Sequence, residues 1–223
     1  MSRHAPLWLV RHAPTSAPSG QVVGHLDVPL SAEGEAAADQ FAEAFAKAWM
    51  GDPPMMFTSD LARAQATVAP LAARWGCLPR HDHRLREVHF GDWEGQTWEA
   101  VGRDDGAALN AWMSDWVNTP PPGGESFRML LARVEAWLAD CVAQSARPAL
   151  VVAHAGALRA LVCAALGLPP EAAFGVQFDH LRLARLDRQP GGGWTLALLG
   201  ARAAHIHPVN SIAVPSDAHT TND

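Results

Sequence analysis

Apolar residues along this chain form two kinds of pattern: short unbroken runs, and longer stretches in which they recur at helical spacing. The short runs have the length and composition of buried strands. They are Leu7–Val10, Met55–Thr58 and Ala149–Ala153. Two further strand candidates, residues 181–186 and 194–199, are rich in apolar residues and flank a turn rich in proline and glycine. They predict a hairpin near the end of the chain.

The stretches between these runs are typical of amphipathic helices. In residues 31–50, Phe41, Phe45 and Trp49 share one face, and Ser31 is a suitable N-cap. The other predicted helices cover residues 60–75, one or two segments within 95–122, residues 125–142 and residues 155–166. Because strands and helices alternate, the sequence predicts an α/β sandwich with a mostly parallel central sheet and helices on both faces. We expect a single domain over residues 1–204 and a flexible tail over 205–223.

Composition and charge narrow the classes of function. The 223 residues are 48% hydrophobic, which is too high for a disordered chain, and 17 basic against 23 acidic residues give a net charge of −6. That balance argues against a nucleic-acid or anionic-membrane surface. No apolar run reaches about 18 residues, the N-terminal residues lack a signal-peptide layout, and Cys77, Cys141 and Cys163 are too widely spaced for a zinc site. We therefore expect a cytoplasmic protein with free thiols.

Charged and imidazole side chains follow three of the predicted strands. Arg11 and His12 end the first, Arg63 lies in the first turn of the helix after the second, and His154 directly precedes a helix N-terminus. In open α/β sheets, functional residues gather beyond the carboxyl ends of the strands. Arginine and helix N-termini bind phosphate oxygens, and a neutral imidazole is a competent nucleophile. The pattern predicts a site for a phosphoryl group.

The chemistry that this set supports is a two-step displacement. His12 attacks phosphorus and becomes a phosphohistidine, while Arg11, Arg63 and a protonated His154 offset charge on the phosphoryl oxygens. Glu87 is the expected proton donor to the leaving group and the base for the attacking water. Three other acids lie near it in the sequence: Asp92, Glu94 and Glu99. We expect no metal and no other cofactor.

Six segments, in order along residues 7–201, resemble the histidine phosphatase (phosphoglycerate-mutase-like) superfamily. They are Arg11-His12-Ala13-Pro14-Thr15, Asp27-Val28-Pro29-Leu30-Ser31, Thr58-Ser59-Asp60-Leu61-Ala62-Arg63-Ala64, Glu87 through Gly95, Pro122-Gly123-Gly124-Glu125-Ser126 and Val152-Ala153-His154-Ala155-Gly156. The resemblance implies a three-layer α/β/α fold and a phosphomonoesterase without a metal. It assigns catalysis to His12, Glu87 and His154, and phosphate binding to Arg11, Arg63, Thr15 and Ala155.

The first motif departs from the family pattern. Ala13 replaces the usual glycine, so the backbone there must accommodate a Cβ atom, and Pro14 replaces the usual acidic residue. The asparagine that many members carry shortly afterwards is absent, and residues 16–18 read Ser-Ala-Pro. These departures support one alternative of another class, a non-catalytic protein that binds a phosphorylated ligand.

Within the superfamily, the chain most resembles the bacterial α-ribazole phosphatases, over residues 24–30, 90–98 and 112–126. The reaction implied is removal of the 5′-phosphate from α-ribazole 5′-phosphate or its cobamide-attached form. The same elements occur in broad-specificity relatives, which remain an alternative. A mutase is disfavoured because residues 88–124 leave little room for an added cap. The expected partner is a small phosphorylated substrate, with neither nucleic acid nor membrane, and a homodimer stays open.

Two further patterns have weaker functional interpretations. His81 and His83, like His205 and His207, are spaced as metal ligands on a strand, yet no cysteine or carboxylate pattern completes either pair. Surface loops are the favoured interpretation of both. Trp93 or Trp98 is a candidate to stack on an aromatic substrate base, although most of the tryptophans are expected in the core.

Overall fold

The centre of the molecule is a six-stranded sheet in the order β3-β2-β4-β1-β5-β6. The computed structural model describes residues 5–141 and 147–206. Its strands are β1 (Leu7–Arg11), β2 (Met55–Thr58), β3 (Arg80–His81), β4 (Ala149–Ala153), β5 (Leu183–Arg188) and β6 (Trp194–Ala201). The first four are parallel, whereas β5 and β6 form an antiparallel hairpin beside β1. The predicted α/β fold and its terminal hairpin are confirmed; the two-residue β3 was not predicted.

Helices cover both faces of this sheet. They are α1 (Ala32–Ala48), α2 (Ala62–Trp75), α3 (Trp98–Asp104), α4 (Gly106–Ser114), α5 (Phe127–Cys141) and α6 (Ala155–Leu166). Successive strand residues point to opposite faces. Accordingly, Leu7 and Leu9 belong to the core cluster with α5 and α6, whereas Trp8 and Val10 belong to the cluster with α1 and α2. This division gives the three layers expected from the sequence.

The register of the central strands brings three strand ends side by side. Arg11 at the end of β1 pairs with Ala153 at the end of β4, and Thr58 at the end of β2 pairs with Val152. The amide of His12, the first residue after β1, donates to the carbonyl of Ala153 at the end of β4 at 2.9 Å. The strands therefore end at the same level of the sheet. The residues that follow the three strands are therefore neighbours.

An insertion between β3 and α5 lies beyond this edge. It holds a short 3-10 turn at Gly91–Trp93 and the helices α3 and α4. Trp93 and Val101 are buried together with Val22 in a small cluster that also contacts Trp112. The prediction of one or two helices within residues 95–122 is confirmed.

Within the described residues, no helix has the length and hydropathy to cross a bilayer. The predicted tail lies outside them from residue 207 onward; of its two described residues, His205 ends a 3-10 turn and Ile206 is buried in the cluster with α1 and α2. The domain boundary at residue 204 stays a prediction.

Candidate active site

The sheet edge brings four of the predicted site residues together. The rings of His12 and His154 lie 5.1 Å apart between centroids, and Arg63 bonds directly to His154. Both imidazoles and Arg63 are at least 94% shielded from solvent. In the described chain neither Arg11 nor Arg63 has a carboxylate within ion-pair distance, so positive charge at this edge is left for an anion.

The hydrogen bonds of His12 leave one ring nitrogen free as a nucleophile. Its Nδ1 lies 2.7 Å from the carbonyl oxygen of Ala13, and a carbonyl only accepts, so Nδ1 carries the proton. The lone pair is then on Nε2. Burial lowers the pKa of His12 well below its usual range, and the neighbouring charges of Arg63 and His180 lower it further. His12 is therefore neutral, as a nucleophile must be.

Arg63 links the second strand to the second histidine. Its Nε donates to Nδ1 of His154 at 3.1 Å, and its terminal nitrogens donate to the carbonyls of Gly24 and Leu26 at 2.7 and 2.8 Å. An arginine has five N–H donors, so two remain on the terminal nitrogens for phosphate oxygens. The side chain is held by fixed backbone groups, which sets the orientation of this fork.

The protonation of His154 differs from the prediction. Because its Nδ1 accepts from Arg63, the ring proton is on Nε2, which is buried and has no partner among the described residues. Burial and then the charge of Arg63 hold the pKa of His154 well below its usual range. His154 is thus a neutral hydrogen-bond donor beside His12 and not the imidazolium expected from the sequence.

Glu87 lies at the N-terminus of α6, immediately beyond His154. Its Oε2 accepts from the amide of Gly156 at 3.2 Å, and its Oε1 accepts from the amide of Val88 at 3.0 Å. A Cβ atom at position 156 would collide with Oε1 of Glu87, so a larger residue there would displace the Glu87 carboxylate from this position. Burial lowers the pKa of both Arg11 and Arg63, and the nearby Glu87 carboxylate counteracts that effect.

The other three acids of this segment have different surroundings. Glu94 accepts from the amides of His25 and Phe90 at 2.7 and 3.0 Å and holds two loops together. Asp92 and Glu99 are exposed. Of the four acids considered from the sequence, Glu87 is the one that contacts the α6 N-terminus.

Two side chains that the sequence analysis missed fix the backbone of Glu87. Arg133 on α5 and His25 both donate to the Glu87 carbonyl oxygen, at 2.8 and 2.7 Å. Arg133 is itself paired with Glu125, which also accepts from the amide of His89 at 3.0 Å. The available signals were His25 itself, which lies in the quoted stretch 24–30, and Glu125, which belongs to the 122–126 motif.

A second missed element is the segment just before β5. The carbonyl of Phe178 accepts from Arg11 at 3.0 Å, and Nδ1 of His180 donates to the carbonyl of His12 at 2.6 Å. The amide of Leu181 donates to the carbonyl of Arg11 at 3.0 Å. Leu181 has φ of 56°, and no other described residue besides glycine has a positive φ. This tight bend is why the strand predicted from residue 181 begins at residue 183.

The departures in the first motif are accommodated locally. Ala13 is fully buried without a positive φ, and its amide donates to Thr67 Oγ1 at 2.9 Å. The carbonyl of Pro14 accepts from the amide of Ser31 at 3.1 Å. Thr15 pairs with Leu30 in a single antiparallel β-bridge, and Ala155 is the first residue of α6. Phosphate binding by Thr15 and Ala155 stays a prediction.

A cavity of about 190 Å³ opens beside Glu87, and we refer to it as the leaving-group cavity. Six aromatic side chains line it: Phe90, Trp98, Trp112, Trp116, Phe127 and Phe174. Trp98, one of the two tryptophans proposed for stacking, is in this wall, parallel to Trp112 at 5.7 Å. Trp93 is not, because it is buried and its Nε1 donates to Asp105 at 2.9 Å. The Trp93 alternative was wrong.

The histidine pairs considered for metal binding yield no metal site in the described chain. His81 and His83 are both exposed. Across residues 5–141 and 147–206, no group of three or more His, Cys, Asp or Glu side chains is close enough to hold an ion. His207 of the second pair lies outside those residues.

Comparison with known proteins defines the class. Residues 7–202 match the histidine phosphatase superfamily (branch 1), so the chain belongs to that superfamily. A glucosyl-3-phosphoglycerate phosphatase of Mycobacterium tuberculosis (strain H37Rv) is 37% identical over 73% of this chain and 76% of its own. A probable phosphoglycerate mutase of Salmonella paratyphi C is 33% identical over 87% and 92%. The crystal structure of the α-ribazole phosphatase from Shigella flexneri superimposes with a TM-score of 0.83 at 28% identity, over 91% of this chain and 100% of that one.

The superfamily and its phosphatase members give the reaction class. The protein is a phosphatase of the histidine phosphatase superfamily, a phosphoric monoester hydrolase. Its relatives act on chemically different substrates according to their names, so the comparisons leave the particular substrate undecided.

The buried histidines predict a loss of stability in mild acid. Burial lowers the pKa of His12 and His154 well below 6.5, and also lowers that of His25 and His180. The unfolded chain therefore binds more protons below pH 6.5. The free energy of unfolding should be unaffected by these groups above that pH and should fall below it, by up to about 1.4 kcal/mol per pH unit for each of His12 and His154.

Denaturant unfolding between about pH 6.5 and 5.5, above the range where most carboxylates titrate, measures this slope. His83→Ala removes an exposed histidine, with 77% of its side chain accessible, and should leave the slope unchanged. His154→Asn should reduce it. A free energy of unfolding that stays constant across this interval would contradict the prediction.

Proposed function

We propose that this protein hydrolyses phosphomonoesters through a phosphohistidine on His12 and that its substrate is α-ribazole 5′-phosphate or the cobamide-attached form. The observation that carries the substrate assignment is the aromatic wall of the leaving-group cavity, directly beside Glu87. The side chains supply a nucleophile, hydrogen-bond donors for the phosphoryl oxygens and a proton donor, so the proposed reaction uses no metal.

In the first step, Nε2 of His12 attacks phosphorus, and the bond between phosphorus and the ester oxygen breaks. The two unused N–H groups of Arg63 and the Nε2–H of His154 donate to the phosphoryl oxygens, with Arg11 beside them. Glu87 in its protonated form gives its proton to the departing alkoxide. The products are the alcohol and a phosphohistidine.

In the second step, the Glu87 carboxylate takes a proton from a water molecule as that water attacks the phosphohistidine. The bond between phosphorus and Nε2 breaks, inorganic phosphate leaves, and the His12 lone pair is restored. The hydrogen bond from Nδ1 to the Ala13 carbonyl keeps the ring in the same tautomer through both steps.

The cavity supports an aromatic leaving group. The alcohol of α-ribazole carries a planar dimethylbenzimidazole, and offset or edge contacts with aromatic rings stabilise such a group. Trp98 is the wall residue best placed for stacking, since it is partly exposed and parallel to Trp112. A sugar without the base makes none of these contacts.

The test compares α-ribazole 5′-phosphate with ribose 5-phosphate, which has the same phosphorylated position but no base, and with glucosyl-3-phosphoglycerate. We expect kcat/KM for α-ribazole 5′-phosphate to exceed that for ribose 5-phosphate by about tenfold or more, which corresponds to the free energy of one or two aromatic contacts. Trp98→Ala should shrink this ratio. Equal turnover of the two sugar phosphates, or faster turnover of glucosyl-3-phosphoglycerate, would contradict the substrate assignment.

A further inference from the structure

A third arginine lines the leaving-group cavity, whose lining includes Glu87 but not His12, Arg63 or His154. Arg159 is on α6, one turn after Ala155, and lines the cavity together with Glu87. Its Nε donates to the carbonyl of Val176 at 2.9 Å, and its guanidinium carbon lies 5.1 Å from the centre of the Phe174 ring. These two contacts fix the plane of the guanidinium against the cavity wall.

Arg159 lacks the acidic partner that comparable arginines have. Two other half-buried arginines pair with carboxylates, Arg84 with Asp82 and Arg133 with Glu125, whereas Arg11, which is assigned to phosphate, has no such pair among the described residues. Among the described residues, no carboxylate lies within ion-pair distance of Arg159, and its one hydrogen bond, to the carbonyl of Val176, uses Nε and leaves both terminal nitrogens for a ligand. A half-buried cation without a counter-ion is costly, which makes such a group a candidate to bind an anion.

The position of Arg159 indicates which part of the substrate it would meet. Phosphate binding belongs to Arg11, Arg63 and His154, whereas Arg159 shares its cavity with Glu87, the proposed donor to the leaving oxygen. A group bound there belongs to the alcohol half of the substrate. The guanidinium fork fits a carboxylate or phosphodiester oxygen pair, and Phe174 offers a ring face beside it.

We propose that Arg159 forms a second anion-binding subsite, which selects phosphomonoesters whose leaving group carries a further oxyanion next to a planar or apolar part. The inference rests on the proposed phosphatase chemistry but not on α-ribazole as the substrate. Free α-ribazole 5′-phosphate lacks such a group, whereas its cobamide-attached form carries a phosphodiester and glucosyl-3-phosphoglycerate carries a carboxylate.

The test uses three matched substrates, phenyl phosphate and its 3- and 4-carboxy derivatives. With the unmodified protein we expect kcat/KM for at least one carboxy isomer to exceed that for phenyl phosphate by about tenfold. This is the effect expected of one charge-assisted bidentate contact, and it should appear mainly as a lower KM. Arg159→Gln should bring this ratio to about one, and Arg159→Lys, which keeps the charge but not the fork, should give an intermediate ratio. Arg74→Gln, at an exposed position on α2, should keep the original ratio.

Binding of the corresponding phosphonates gives a second readout that needs no turnover. Calorimetry should show tighter binding of a carboxyphenyl phosphonate than of phenyl phosphonate, and Arg159→Gln should remove the difference. Such a difference without turnover of the phosphates would overturn the proposed hydrolysis and still support the subsite. Equal binding of both phosphonates, or a carboxylate preference unchanged in Arg159→Gln, would overturn the subsite.

Discussion

Replacing His12 with alanine should reduce phosphate release from an aryl phosphate by about 10⁴-fold or more, as expected when a covalent nucleophile is removed. The Nε2 lone pair of His12 is the one group in the site placed to bond to phosphorus, since the other ring, that of His154, is held as a donor by Arg63. Phosphate binding should persist, because Arg63 and His154 remain.

The measurement is release of inorganic phosphate in the presence of a chelator. His83→Ala, which removes an exposed histidine, is the matched control and should keep full activity. In the unmodified protein, rapid quenching with labelled substrate should trap a phosphoenzyme that is labile in acid and stable in base, and His12→Ala should not form it.

Three results would contradict parts of this account. Activity that survives His12→Ala would exclude His12 as the nucleophile. Transfer of the label to a second sugar phosphate instead of water would favour a mutase. Tight phosphate binding without turnover on any ester would favour the non-catalytic alternative that Ala13 and Pro14 first suggested.

Glu87→Gln should slow hydrolysis of alkyl phosphates by about 10³-fold, within the range of general acid–base catalysis. An alkoxide is a poor leaving group and needs the proton that Glu87 supplies. 4-Nitrophenolate leaves without one, so with that substrate the first step should be largely retained. The second step still requires a base for water, and the phosphoenzyme should accumulate.

Stopped-flow detection of nitrophenolate separates the two steps. Glu87→Gln should give a burst of about one nitrophenolate per active site followed by a slow phase, whereas Glu99→Gln, an exposed acid of the same segment, should behave like the unmodified protein. Equal losses on alkyl and aryl esters, with no burst, would mean that Glu87 supports the site only structurally.

The parts of the site that follow strands could be predicted from the sequence. An unbroken apolar run identifies a buried strand, and the residue after it lies at a known edge of a parallel sheet. His12 and His154 were placed beside each other by this reasoning, and the register of β1 and β4 confirms it. Ser31 was likewise predicted as the N-cap of α1, and its side chain accepts from the amide of Gly34.

The parts that depend on long-range chain crossings could not be predicted. His180 donates to the carbonyl of His12, which is 168 residues earlier in the sequence, and this contact depends on a bend at Leu181 that no residue pattern predicts. The protonation of His154 follows from a single hydrogen bond with Arg63, so it required the orientation of both side chains. The sequence context of Arg159 is that of any helical arginine, because the absence of a carboxylate partner among the described residues depends on the packing of α6 against distant segments.

Most of the aromatic wall and the groups placed around the phosphoryl position come from different parts of the chain. His12, Arg63 and His154 extend from the ends of strands whose register is fixed across the whole sheet, whereas Phe90, Trp98 and Trp112 belong to the insertion before α5. Glu87 lies in the same insertion, so a protein built this way can acquire a new substrate by changes in the residues after Glu87 while His12, Arg63, His154 and Glu87 itself are retained. Relatives with similar sheets and differently named substrates are what such modular divergence would produce.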